Sequence, residues 1–406
     1  MTTASILTIE PIDRGGVPVL AETLYHTLQH AGHTPHLVYM DAESVPTDRR
    51  DLPGYFLRRW RPQWETRRGL RGLAIPRYPL TLAGGFWLPR YLVPGAINTP
   101  IRVVACGSAH FGAPYLAGTV PYIIWLAGLY EDELRARSAA GDPWAASVLT
   151  SANWPRLQAL EARVLRGAAA VIGISPYTVQ RLADTYADLT PRLHTVFIPV
   201  DTAAFTPHPA GPAQPPYLLL TARIVDPRKN TAMLFRAFAR VLAEYPNLRL
   251  KVTGDPPDAR ILAEVADAGI GGQVDFLGHV SISDLADVVR RATAFVLTSN
   301  QEGLSVSMLE ALAAGVPVVS TRSGGPDGVI RNGETGYLTP LDDDATFAER
   351  LLTLLRDPAL RARIGHAAAE DARHRFAPDA IQKQLLTIFS TVYPKFFHNL
   401  SQPEQG

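Results

Sequence analysis

"NQEGLSVSMLEALAAG", residues 300–315, holds two glutamates, Glu302 among Gly and polar residues and Glu310 inside an apolar helical run. Just before it lies Ala294-Phe-Val-Leu297, short, apolar and suited to a strand, so the order is strand, polar turn, helix. Ser305 is the natural N-cap and Gly315 the natural stop. The first-turn N–H groups of such a helix, Leu304 to Ser307, have no helical partner and aim at the carboxyl end of the strand. With the helix dipole they form an anion site suited to a diphosphate. Gly303 removes a side chain where a ligand would crowd, and Glu302 and Glu310 bracket the site. A carboxylate accepts the hydroxyl hydrogen bonds that sugar and ribose rings offer. Glu310 also reads as an exposed helix residue steadied by the dipole, and spacing alone leaves both readings open.

A second cluster is Arg223 with Lys229 in "TARIVDPRKN", residues 221–230, after the apolar run Tyr217-Leu-Leu-Leu-Thr221. Two cations at a strand's carboxyl end neutralise a leaving diphosphate, Arg through paired contacts and Lys as a point charge. Ordinary surface cations in a strand-to-helix loop are the plainer reading. The pair Gly15-Gly16, in "DRGG" after Ser5-Ile-Leu-Thr-Ile-Glu10, is a weaker signal of the same kind, since a glycine pair more often marks a turn.

The chain has 406 residues, 47% of them hydrophobic and 19% charged, with a formal net charge of +1. That length exceeds one ordinary core and predicts two domains. The charge balance argues against nucleic acid as a partner. One cysteine, Cys106, excludes an intramolecular disulfide framework and a cysteine-cluster metal site. The longest apolar run, Val120 to Tyr130, is about half of what a membrane-spanning helix needs. No basic, apolar leader pattern opens the chain, and a cytoplasmic protein is expected. Only Lys229, Lys251, Lys383 and Lys395 are lysines among 39 basic residues, which makes each retained lysine more telling.

Strand, glycine loop, helix (Val17 to Ala31) and strand (His36 to Tyr39) open the chain as a parallel α/β unit. Further strands read at Arg102–Cys106, Tyr122–Trp125 and Ala170–Ile174, with a helix from Trp154 to Leu165. "HPAGPAQPP", residues 208–216, carries five prolines or glycines and is the linker candidate. The pattern then restarts with strands at 217–221, 249–253, 274–277, 294–297 and 316–320 and helices between them. This gives an α/β fold of two Rossmann-like halves: residues 1–207, a linker at 208–216, residues 217–376, and a final helical stretch 377–406 packing back on the first half.

These stretches together resemble the retaining glycosyltransferases of family 4, which have the GT-B fold of two Rossmann-like domains facing each other across a cleft. The resemblance rests on the two glutamates of "EGLSVSMLEALAAGVPVV", on Arg223 and Lys229, and on Val200-Asp-Thr-Ala-Ala-Phe205. "VDFLGHV" (274–280), "SGGPDGVIRNGETGYLTPLD" (323–342), the "GGV" loop and "LQHAGH" (28–33) follow in family order. It covers about residues 5 to 40 and 160 to 375.

The resemblance implies a hexosyltransferase using a UDP- or GDP-linked sugar as substrate, with no cofactor and no metal. Glu310 would hold the ribose hydroxyls and Glu302 those of the transferred sugar. Arg223 and Lys229 would bind the diphosphate, helped by the backbone of Gly303, Leu304 and Ser305. Backbone near Val280 would meet the nucleobase, and Gly16 would let the N-terminal loop approach the donor phosphate. Such enzymes are thought to retain configuration by front-face attack, the leaving phosphate taking the acceptor's proton, so no glycosidase-like carboxylate pair is required. The acceptor would be a glycan, a lipid-linked molecule or a small molecule.

The sequence departs from the family where a histidine is expected, since "WLAG" places Ala127 there. His110, in "GSAHFG", is the candidate to fill that catalytic space, although a loop histidine is more often structural. Asp342-Asp-Asp344 reads as a helix N-cap cluster before Thr346. The stretch 49–77 has nine arginines against Asp51 and Glu65. It reads first as a solvated helical insertion, and second as a contact for an acidic or lipid-linked acceptor, or for an anionic inner membrane face. Two other functions stand beside transfer: a nucleotide-sugar epimerase on the same fold, and a non-catalytic nucleotide-sugar-binding partner, the latter motivated by Ala127.

Overall fold

The computed structural model describes residues 1–9, 15–40, 62–75, 86, 88–209 and 211–397. The chain divides into two compact units. One comprises Met1–Asp132, Ser147–Ile198 and Ile381–Gly406, the other Glu133–Ala146 and Pro199–Ala380.

The first unit is built on β1 (Thr3–Thr8), β2 (Thr34–Met40), β3 (Gln63–Arg67), β4 (Leu70–Ile75), β5 (Ile101–Cys106), β6 (Ile123–Leu126), β7 (Ala170–Gly173) and β8 (Leu193–Thr195). They form one sheet in the order β3-β4-β2-β1-β5-β6-β7-β8, parallel throughout except for the β3–β4 pair. Every residue of β5 and β6 is buried, as a parallel strand covered on both faces requires. Helix α1 (Gly16–His30) follows β1 and buries Leu20, Leu24 and Leu28, a spacing of one residue per helical turn. Helix α2 (Trp154–Gly167) buries Leu157, Leu160, Val164 and Leu165 by the same rule.

The second unit carries β9 (Tyr217–Ala222), β10 (Arg249–Gly254), β11 (Val274–Gly278), β12 (Ala294–Leu297), β13 (Val318–Thr321) and β14 (Gly336–Thr339). All pair in parallel, in the order β11-β10-β9-β12-β13-β14. Its core gathers Leu218 and Leu220 of β9 with Phe235, Phe238 and Val241 of helix α3 (Thr231–Leu242). Burying each such side chain contributes roughly 1.5–3 kcal/mol. Strand order reverses between β9 and β12, and ligands of open α/β sheets bind outside the carboxyl ends of the strands at such a reversal. The loops that begin at Arg223 and at Thr298 leave the sheet there.

One sequence expectation changes. Residues 63–75 form the antiparallel β3–β4 hairpin, not a solvated helical insertion. Its two-residue turn, Arg68-Gly69, has positive φ at both positions (52° and 77°), the geometry that matches the twist of adjoining strands. The rest of the basic stretch, 49–61 and 76–77, lies outside the described residues, as does Asp13-Arg14. The division between units falls at Ile198/Pro199, and 208–216 lies within the second unit. There the Ala213 N–H donates to the Arg291 carbonyl at 2.9 Å.

The last helix, α5 (Pro378–Val392), leads into residues that group with the first unit from Ile381 onward. The Tyr393 hydroxyl accepts from the Arg102 N–H at 3.0 Å and reaches the Arg102 carbonyl at 2.7 Å, on β5. Phe389 and Phe397 are buried beside it.

Candidate functional site

The loop after β9 is shaped by two side-chain caps. Asp226 accepts from the Arg228 N–H at 3.1 Å and opens the single turn Pro227–Lys229. Asn230 then takes a left-handed conformation (φ 47°), which a short polar side chain tolerates, and caps α3. This turn sets Lys229 against the loop after β12. The Thr298 hydroxyl donates to the Lys229 carbonyl at 3.0 Å, and the Asn300 N–H donates to the Arg228 carbonyl at 2.8 Å. With its backbone held, Lys229 places Nζ 2.5 Å from Glu302 Oε1. The Ser299 hydroxyl donates to the same oxygen at 2.6 Å.

Glu302 is held from behind as well. Its N–H donates to the Ser323 carbonyl and its carbonyl accepts from the Gly325 N–H, each at 2.8 Å. A Cβ on Gly325 would stand 2.4 Å from the Gly303 oxygen, so only glycine permits this approach. Helix α4 (Val306–Ala313) then starts with Ser305 as its cap, accepting from the Met308 N–H at 3.3 Å. The Ser307 hydroxyl donates to the Thr221 carbonyl at 2.9 Å and ties the helix's first turn to the end of β9. Glu310 lies in the second turn, half-buried.

The charges are unequal in freedom. Burial alone would raise the Asp226 pKa, but the hydrogen bonds and charge of Arg228, aided by Lys229, outweigh it and hold the group down to about 2. Asp226 thus serves Arg228 first, through contacts at 3.1 and 2.7 Å. Arg223 stands 3.9 Å from it with 73% of its side chain exposed. One cation is therefore fixed and another extends into solvent, beside an N-capped helix start.

Arg223, Lys229, Glu302, Gly303, Leu304 and Ser305 thus share the carboxyl ends of β9 and β12, with Glu310 one turn into α4. Val280, half-buried, follows β11 at the edge of the same sheet. Gly16 and His110 belong to the first unit. Gly16 is the first residue of α1, preceded by Gly15 at φ 129°.

His110 is enclosed within the first unit. Its ring is 1% exposed, and its nitrogens contact the Ser108 hydroxyl at 2.5 Å and the Leu157 carbonyl of α2 at 2.9 Å. Phe86 stacks on it and Tyr130 meets its edge. Burial lowers its pKa to about 4, against the opposing pull of the Leu157 carbonyl. A neutral, buried imidazole with both nitrogens engaged braces the fold.

Reading by spacing missed Ser299, Asn230 and Gly325, which act across 3 to 70 residues of sequence. The only signals were the polar run "TSNQ" after the strand and an asparagine following Lys229. Asp343 caps the helix Asp344–Arg356 by accepting from the Thr346 N–H at 2.9 Å, and Asp344 pairs with Arg240. Among the described residues no group of three or more His, Cys, Asp or Glu is placed to hold a metal, and no helix is long and apolar enough to cross a membrane.

Residues 206–371, which include all of β9 to β14, match the family of glycosyl transferases group 1. This stretch is similar to the group 1 glycosyl transferases over about two fifths of the chain. Over 165 residues the chain is 33% identical to N-acetyl-alpha-D-glucosaminyl L-malate synthase of Bacillus anthracis, covering 40% of this chain and 42% of that protein. Over 195 residues it is 30% identical to phosphatidyl-myo-inositol mannosyltransferase of Mycobacterium leprae, covering 48% and 51%. The chain thus spans about half the length of the curated relatives it matches.

Likeness of fold extends further than residues 206–371. Sucrose-phosphate synthase from Thermosynechococcus elongatus superposes with a TM-score of 0.77 at 19% identity, covering 97% of this chain and 100% of that one. Anabaena HepE, solved in complex with UDP and glucose, gives 0.71 at 15% identity, covering 96% and 100%. The fold is GT-B, two α/β units on mostly parallel sheets.

Proposed function

We propose that the protein is a glycosyltransferase that moves a sugar from a nucleoside-diphosphate-sugar donor to an acceptor hydroxyl, with retention of configuration and without a metal. The observation that carries this reading is the Lys229–Glu302–Ser299 cluster at the strand reversal, beside the capped start of α4. A cation, a carboxylate and free helix N–H groups at one point suit a ligand with both phosphate and hydroxyl groups.

In this reading Lys229 and Arg223 take the diphosphate, with the backbone of Gly303, Leu304 and Ser305. Glu302 accepts hydroxyls of the transferred sugar, Glu310 those of the ribose, and backbone near Val280 meets the base. The anomeric carbon–phosphate oxygen bond breaks as the acceptor oxygen bonds to that carbon. The acceptor's proton passes to the departing phosphate, and a nucleoside diphosphate is released. The cations stabilise the charge that grows on that leaving group, which is where electrostatic catalysis acts. A UDP- or GDP-linked sugar is the proposed donor, UDP being the nucleotide solved with HepE.

The proposed acceptor is a glycan, a lipid-linked molecule or a small molecule. The names of the two relatives already span phosphatidyl-myo-inositol and L-malate. A cytoplasmic enzyme, seated at the inner membrane face when the acceptor is lipid-linked, fits this reading.

Thermal unfolding with UDP, GDP, ADP and dTDP and their sugar conjugates tests it. A ligand that binds only the folded state stabilises by about 2.7 kcal/mol at a hundredfold excess over Kd. One nucleotide is expected to stand out, and its sugar conjugate to be turned over slowly to the free nucleoside diphosphate. No shift with any of them overturns the donor site.

A further inference from the structure

A cavity of about 530 Å³ lies at the opposite, amino-terminal end of the first unit's sheet. It is bounded by the starts of β1 and β2 (Thr3, Thr34), by the short helix Pro94–Ile97 and by the β3–β4 hairpin. Register explains its wall. Leu37 pairs with Gly72, so His36 and Arg71 stand side by side on one face of the sheet. Thr66 pairs with Arg71, which places Trp64 on that face one diagonal step away.

The three side chains interact. The Arg71 guanidinium lies over the Trp64 ring at 4.8 Å, and the His36 ring meets the indole edge at 5.3 Å. His36 Nε2 contacts the Ala96 carbonyl at 2.7 Å. Burial, and after it the charge of Arg71, keeps His36 below the usual histidine range, although the Ala96 contact opposes them. The imidazole is therefore neutral near pH 7 and Arg71 is the wall's cation.

Two features mark this wall as a surface for a ligand. Trp64 is 50% exposed between Gln63 and Glu65, so the indole keeps apolar surface open beyond its contacts with Arg71 and His36. Arg71 forms no ion pair with a carboxylate among the described residues, and its guanidinium is held by an aromatic face instead. The remaining lining combines Thr3 and Thr34 with apolar carbon from Pro35, Leu73 and Val93. A hydroxylated ring with one negative group matches that mixture. The size also falls in the range of small-molecule sites.

We propose that this cavity binds an acidic saccharide, with the ring packed against Trp64 and the carboxylate or phosphate on Arg71. The site lies at the amino ends of the strands, away from the carboxyl ends where Gly15 and Gly16 follow β1. It holds a sugar chain without acting on it. Cation–aromatic and charge-assisted contacts of this kind carry both affinity and selection by charge.

The test uses the full chain and titrates four probes by calorimetry: a glucuronate-containing disaccharide, the uncharged disaccharide of the same linkage, glucose 6-phosphate, and UMP. The glucuronate disaccharide should bind, and its uncharged counterpart about tenfold more weakly or worse. Arg71→Gln should lose that preference, and Trp64→Ala should weaken both disaccharides by about tenfold, while Trp64→Phe restores part of the loss. UDP should shift the unfolding temperature of all three variants as it does the wild type, which also shows that they fold. Glucose 6-phosphate binding in place of the disaccharide keeps the site and names phosphate as its anion. The proposal is overturned if neither acidic sugar binds, if the variants bind as the wild type does, or if UMP is preferred at this wall.

Discussion

Lys229 and Glu302, 73 residues apart in sequence, are joined by a 2.5 Å ion pair with side chains only 15% and 11% exposed. Two loops that leave adjacent strands are thereby locked through one carboxylate oxygen. Breaking a largely buried pair leaves an uncompensated charge and costs roughly 3 kcal/mol. Lys229→Ala should weaken UDP binding at least about tenfold, and the double variant with Glu302→Gln should cost less than the two single losses added. Strict additivity of the binding energies in that cycle is the outcome against it.

Gly325 is expected to be intolerant of even one methyl group. A Cβ 2.4 Å from the Gly303 oxygen forces the 302–304 segment to move. Gly325→Ala should destabilise by about 2 kcal/mol and abolish the UDP-dependent thermal shift. An alanine variant with wild-type stability and UDP response would show that the segment gives way without consequence.

The Asp226 carboxyl supplies a pH signature. Its folded pKa is depressed to about 2 from an ordinary 3.8, so its stabilisation is complete above about pH 4 and fades as pH falls toward 2. That shift corresponds to about 2 kcal/mol. Asp226→Asn should be less stable by roughly that amount at pH 7, and denaturant midpoints of the two proteins should converge near pH 2. A gap independent of pH contradicts the assignment.

Glu161 has the opposite sign. It is 3% exposed and accepts the Tyr130 N–H at 3.2 Å, and its pKa rises to about 7, chiefly through burial. The unfolded chain ionises it from about pH 4.5 while the folded chain resists until about pH 7, so it costs stability as pH rises through that window. Glu161→Gln should therefore match the wild type near pH 4 and exceed it at pH 8 by up to about 3 kcal/mol. Equal stabilities at pH 8 would remove the buried neutral acid.

His110 works the other way over nearly the same range. The unfolded histidine takes a proton below about pH 6.5 and the buried one only near 4, so stability falls as pH drops between those values. His110→Asn should flatten that slope in urea denaturation and leave the UDP shift unchanged. A lost UDP response would tie His110 to the site after all.

Legibility in the sequence followed periodicity. β9, β10, β12 and α3 are runs whose apolar spacing is unambiguous, and the N-cap at Ser305 is a local event within three residues. The β3–β4 hairpin was hidden because its outward positions are charged and its turn uses Arg68 where Asn or Gly is usual. The burial of His110 depends on Phe86, Tyr130 and Leu157, which no local pattern around "GSAHFG" brings to it. The support of Glu302 by Ser323 and Gly325 is likewise a matter of strand order, which appears only when β12 and β13 lie side by side.

The return of residues beyond Ile381 to the first unit has a consequence for how the protein is made. On the ribosome the second unit is complete before the first one is. The N-terminal sheet must wait, with the surface that Tyr393, Phe389 and Phe397 will cover still open, until the last stretch of chain has emerged. Expressing residues 1–207 by themselves therefore leaves a complete sheet with its C-terminal cover missing and prone to aggregation, and residues 199–380 by themselves lack the Glu133–Ala146 part of their own unit.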